Sequence, residues 1–113
     1  MKGLVFNNSD LAGTIEKDDV GQYLFRYTDA YFDNLQLPAI SLSFPKTQQE
    51  YRAETIFPFF YGLLSEGINK DIQCRLLKLD ESDDFTRLLL TAGNDTIGAI
   101  TIKPATNALP GML

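Results

Sequence analysis

Histidine and tryptophan are absent from this 113-residue chain, and cysteine occurs once, as Cys74. Without an imidazole there is no Ser-His-Asp or Cys-His route to an activated nucleophile. One thiol with no histidine cannot build a usual zinc cluster, and a lone cysteine cannot close an internal disulfide. That usage fits a reducing compartment, so the expected location is the cytoplasm. Positive charge is also scarce: 10 Lys and Arg stand against 15 Asp and Glu, a net charge of −5. Affinity for nucleic acid or anionic membrane rests on basic side chains that neutralise phosphates, so neither is an expected direct partner. An acidic surface serves solubility and also suits a basic protein partner. Long apolar runs are missing too. Nothing approaches the roughly 20 residues that span a bilayer. The opening Met1-Lys2-Gly3-Leu4-Val5-Phe6 is too short for the apolar stretch of a signal peptide.

What is present is material for a core. Apolar residues make up 44% of the chain, with 8 Phe and 5 Tyr. A chain of this length is at most one domain and buries roughly 65% of its unfolded surface. Strand signals fill the first half. Residues 3–6 and 11–16 flank the turn-forming Asn7-Asn8-Ser9-Asp10, and Tyr23, Phe25 and Tyr27 alternate with Leu24 and Arg26. The clearest strand pattern is 37–44, where Ile40, Leu42 and Phe44 alternate with Ser41 and Ser43 before Pro45. The period then changes. Ile56, Phe59, Phe60, Leu63 and Leu64 mark one helix face, with Pro58 in its first turn and Gly67 at its end. Ile68, Ile72, Leu76 and Leu79 mark a second. Ser82 reads as the N-cap of a third, over Phe85, Leu88, Leu89 and Ala92, with Gly93 as its cap. Residues 97–103 form a last strand. The expected fold is α+β: a mainly antiparallel sheet of about five strands, with three α-helices packed on one face. The domain is expected over 1–104, with a tail over 105–113.

Several short patterns suggest sites, and each has a plainer reading. Gly93-Asn94-Asp95-Thr96-Ile97-Gly98 hints at a phosphate loop, but a phosphate cradle leads from strand into helix. Here a helix leads into a strand, which favours a cap and a turn. Asp29 and Asn34 have the spacing of a kinase catalytic loop but lack the surrounding motifs. The acids Asp80, Glu81, Asp83 and Asp84 lack the pattern of a calcium loop and fit a helix start. Cys74 fits a buried small hydrophobe better than a reactive thiolate. No catalytic residue, metal ligand or cofactor is expected. The aromatic residues are in surplus: Tyr23, Tyr27, Tyr31, Phe32, Tyr51, Phe57 and Tyr61 exceed what three helix stripes and one sheet face require. They serve either a second buried face or an interface, and Tyr51, Phe57 and Tyr61 are the candidate partner contacts.

Three blocks carry a family resemblance. Ser41, Ser43 and Pro45 belong to the first, Ile40 to Pro45. Phe59, Phe60, Leu63, Leu64 and Gly67 belong to the second, 59–67. Gly93, Asp95, Gly98 and Ala99 belong to the third, followed by Pro104. In this order and spacing they resemble the N-terminal domain of HipA-like toxin kinases. Ser65 stands where that family usually has proline. In the family this module packs against a larger kinase domain that holds the ATP site and the catalytic residues. The resemblance therefore implies a protein that is not itself an enzyme. The chain is also similar to the small HipS-type component of three-gene HipBST modules. That implies a HipA-like serine/threonine kinase as partner, with a helix-turn-helix DNA-binding protein in the same complex. The implied role is that of an antitoxin that restrains the kinase. The alternative is a purely structural module of such a kinase, supplied in trans or cut from a longer chain.

Overall fold

A two-residue turn at Asn8-Ser9, with Asn8 at φ 55, joins strand β1 (Lys2–Asn7) to β2 (Asp10–Lys17). Asn is among the few residues that hold this left-handed backbone cheaply. The next turn is tied by the Asp18 carboxylate, which accepts the N–H groups of Val20 and Gln22, while Gly21 takes φ 90. It delivers β3 (Tyr23–Tyr27). Then follow α1 (Asp29–Asp33), β4 (Glu50–Ala53), α2 (Pro58–Tyr61), α3 (Ile68–Leu77), α4 (Asp84–Thr91) and β5 (Ile100–Pro104). These are features of a computed structural model that describes residues 1–64, 68–80, 82–93 and 99–105. Expectations for Gly67, Glu81, Asp95, Gly98 and the tail over 106–113 lie outside the described residues. Ala105, placed at the start of that tail, donates its N–H to the Lys2 carbonyl.

The sheet has five strands in the order β4-β3-β2-β1-β5, every pair antiparallel. Between β1 and β2 the register shifts after Val5, so Val5 faces Gly13 and Phe6 faces Leu11. Ala12 is the extra residue, a β-bulge. Beside it only glycine fits: a Cβ on Gly13 would stand 2.3 Å from the Arg26 carbonyl oxygen.

One face of the sheet is buried. Val5, Ile15, Tyr23, Phe25, Tyr27, Ile100 and Ile102 point into the core, and Phe60, Phe85, Leu88 and Leu89 cover them. Leu4, Phe6, Leu24 and Arg26, on the opposite face, are half-buried. The α+β architecture with helices on one face is thus the one expected.

Four local expectations are corrected. Residues 37–44 are not a strand. Ile40 and Phe44 are buried, but Leu42 between them is 102% exposed, so the three do not share a face. The Phe44 N–H returns to the Ser41 carbonyl at 3.1 Å, which makes a turn. The place on the sheet edge goes to β4, short and polar, with one neighbour. Second, of the helix expected from Ile56 to its end at Gly67, the described part is one turn, Pro58–Tyr61, continued by tight bonds from Leu63 to Phe60 and from Leu64 to Tyr61. Third, the stripe on α3 does not face the core: Ile72 is 44% and Leu76 78% exposed, while Cys74 is buried. Fourth, the N-cap of α4 is Asp83, whose carboxylate accepts the Thr86 N–H, and Ala92 is its C-cap, directly before Gly93. Helix α1 was not foreseen. It is five residues long, capped by Thr28, whose hydroxyl accepts the Tyr31 N–H.

Candidate interaction surface

The surplus of aromatic residues has a structural use. Residues 34–49 contain no strand or helix, so the chain there lacks a backbone ladder. Tyrosine hydroxyls supply hydrogen bonds in its place. Tyr27 accepts the Ile40 N–H at 3.1 Å and donates to the Phe44 carbonyl, pinching the two ends of the turn together. Tyr31 donates to the Pro38 carbonyl at 2.7 Å and accepts from the Asn7 side chain. Tyr51 donates to the Pro45 carbonyl. Burial pushes the Tyr27 phenol above its ordinary pKa; the Ile40 N–H pulls the other way, and the nearby Tyr51 and Tyr31 add to the rise. Burial raises Tyr51 as well.

Phe44 is the centre of the aromatic packing. Its ring lies 4.8 Å from Phe25, 5.1 Å from Tyr51, 5.2 Å from Phe57, 6.0 Å from Phe59 and 5.6 Å from Phe60. Tyr27 and Tyr31 stack at 5.7 Å with their planes 3° apart. A residue of the irregular segment is therefore a keystone of the core, which the strand reading concealed.

The three candidate partner contacts separate. Phe57 is 8% exposed and packs against Phe44 and Phe60, which is the buried-face alternative for this residue. Tyr51 is half-buried, its ring on Phe44 and its hydroxyl on the loop. Tyr61 stands out, 40% exposed at the end of α2. Of the family blocks, Ser41 accepts the Ser43 N–H on its hydroxyl, Phe60 and Leu64 are buried, and Phe59 and Leu63 pack at the core edge. Ala99 accepts the Asn8 N–H on its carbonyl, which closes β5 onto the first hairpin.

The polar residues weighed as sites have local roles. Asp29 opens α1 and pairs with Arg26 at 3.2 Å, and Gln49 donates to the same carboxylate. Asp80 accepts from the Ser82 N–H and hydroxyl, bonds that hold its carboxyl below the usual range. Asp84 accepts from Arg87, whose guanidinium is wholly buried in α4, a burial that no local pattern signals. Among the described residues no group of acids or thiols could hold a metal ion, and no helix is long and apolar enough to cross a membrane.

Outward apolar side chains are the remaining feature. Leu35 is 96% and Leu42 102% exposed on the irregular segment, and Ile72 and Leu76 point out from α3. Two shallow depressions flank α3, one of about 410 Å³ lined by Asp71, Cys74, Arg75 and Leu79, the other of about 270 Å³ lined by Ile72, Arg75 and Leu76.

Comparison with known proteins adds sequence and structural relatives. The family pattern of the HipA N-terminal domain matches residues 4–103. A protein of Haemophilus influenzae is 36% identical over 101 residues, covering 89% of this chain and 90% of that protein. A putative kinase, Y4mE, of Sinorhizobium fredii is 30% identical over 94 residues, covering 83% of this chain but 22% of the kinase. A solved structure of the N-terminal domain of HipA toxin superposes with a TM-score of 0.65 at 31% identity, covering 93% of this chain and 94% of that one.

Proposed function

The chain belongs to the HipA N-terminal domain family, and from that premise we propose that it binds a HipA-like serine/threonine kinase and restrains it without catalysing a reaction itself. The observation that carries this reading is the family match across 4–103. The Sinorhizobium relative, where the matching segment covers 22% of a putative kinase, supports a kinase as the partner. Restraint needs no chemistry. A protein that binds an inactive kinase conformation better than the active one shifts the population toward it, by as much as the two affinities differ. A helix-turn-helix protein in the same complex would supply contact with DNA, since this chain's net charge of −5 disfavours direct binding.

The same 22% coverage favours a second reading, a structural module that stabilises the kinase without inhibiting it. Co-expression with an affinity-tagged HipA-like kinase tests the shared part of both. The chain is expected to co-purify at fixed stoichiometry. Failure to co-purify at low salt with soluble kinase would remove both readings.

A further inference from the structure

We propose that Leu35 and Leu42 are preformed docking residues that insert into an apolar socket on the kinase; this rests on the kinase-binding reading above. The block from Ile40 to Pro45 carries the argument. Ile40 is buried and gives its N–H to Tyr27. Ser41 holds the turn twice, accepting the Ser43 N–H on its hydroxyl and the Phe44 N–H on its carbonyl, both at 3.1 Å. Phe44 is buried, and the Pro45 carbonyl takes the Tyr51 hydroxyl. Leu42 alone has no such internal task, and it is 102% exposed.

Leu35 repeats the pattern on the adjoining turn, at 96% exposure. The Leu37 N–H bonds the Asn34 carbonyl at 3.1 Å, and the Gln36 N–H bonds the Asn34 side chain at 3.0 Å. Lys46 then clamps that turn, donating to the Asn34 carbonyl at 2.7 Å and the Leu37 carbonyl at 3.0 Å, with its ammonium 5.1 Å over the Tyr31 ring.

A single exposed leucine is ordinary on a protein surface. Two, one on a turn held by the buried Tyr27 hydroxyl and the other on a turn clamped by Lys46, are not. Such bracing adds little to the burial of either leucine in the free protein. Its benefit arises on binding, because a fixed backbone loses little freedom when its side chain enters a pocket.

The occupant is the kinase rather than a second copy. In the Sinorhizobium relative the matching segment is 22% of the chain, so there the module is accompanied by a long further stretch of polypeptide under a kinase name. Two copies meeting tip to tip would bury little beyond four leucine side chains, well short of the roughly 1,200 Å² of a stable interface.

The test measures affinity of the full chain for a purified HipA-like kinase that lacks its own N-terminal module. Leu35→Asp/Leu42→Asp is compared with wild type and with Leu76→Asp, a change at another exposed leucine. The expected result is a loss of tenfold or more for the double variant, an unchanged melting temperature, and wild-type affinity for L76D. Should the double variant lose stability, Leu35→Ser/Leu42→Ser replaces it and the same loss is required. Wild-type affinity in a folded double variant overturns the proposal and leaves kinase binding intact. So does a loss confined to L76D. A wild-type chain that binds no kinase removes the functional reading itself. Self-association in sedimentation that only the double variant abolishes would make a second copy the occupant and also overturn the proposal.

Discussion

At the scale of the residue, Tyr27 joins core, loop and pH dependence. Its ring is fully buried and its hydroxyl satisfies one donor and one acceptor of the turn it spans. Tyr27→Phe keeps the ring and strands both backbone groups, at a cost of about 1–3 kcal/mol at neutral pH. Chemical denaturation measures that loss. Burial also raises the Tyr27 pKa, so the unfolded chain gives up this proton more readily than the folded one. The associated stability is intact below the ordinary tyrosine pKa of about 10 and is lost as pH climbs past it. Wild type should therefore melt steadily lower above about pH 10, with Tyr51 acting in the same direction. Y27F should show a smaller alkaline decline, and an equal decline would mean that other groups control it. Phe57 and Tyr61 make a second pair of opposites. Phe57→Glu places a charge in the aromatic cluster and should unfold the domain. Tyr61→Glu sits at a half-open surface and should shift stability by about 0.5 kcal/mol or less while weakening kinase binding. Thermal melting and a binding titration on the two variants check this together. Equal melting of both would place Phe57 outside the core.

At the scale of the element, the segment between α1 and β4 stands where a strand was expected. It is held by side chains rather than by a ladder, and Phe44 fixes it to the core through five rings. Phe44→Ala should cost about 3–5 kcal/mol. It should also free the loop before the rest of the domain unfolds. Hydrogen exchange at the Ile40 and Phe44 amides should then rise more than at Phe25 in β3. A uniform rise across the sheet would contradict the keystone role. The same segment shows what the sequence can and cannot tell. The hairpin of β1 and β2, strand β3 and the apolar face of α4 were readable, because in each the repeat of apolar residues matches the buried face. Ile40-Ser41-Leu42-Ser43-Phe44 has an equally clean strand period and folds as a turn. The deciding contact is a hydroxyl on Tyr27, 13 residues before Ile40, and no local pattern reports it. The α3 stripe misled for another reason. Periodicity shows that Ile72 and Leu76 share a face of the helix, not that the face meets this chain's own core.

At the scale of the whole molecule, the chain is a sheet with one buried face, a braced irregular segment along its β4 side and a helix, α3, that turns leucine outward. Among the described residues many polar groups serve caps, turns and loop ties. Of the exposed apolar side chains, sequence reasoning singled out Tyr61 and passed over Leu35 and Leu42, the latter in a strand-like pattern that reads as core. It could not sort Phe57 from Tyr61, since one turn of helix is too short for its period to separate two faces. Docking and restraint remain distinct claims, and the functional account needs the second. The most direct test is the initial rate of phosphate transfer from ATP by a purified HipA-like kinase lacking its own N-terminal module, measured as this chain is titrated in. The account predicts a saturable fall toward zero, complete near the stoichiometry of the isolated complex, and a shallower fall with Tyr61→Glu. A rate that stays constant or rises while the complex demonstrably forms would contradict restraint and leave the chain as a structural module of the kinase.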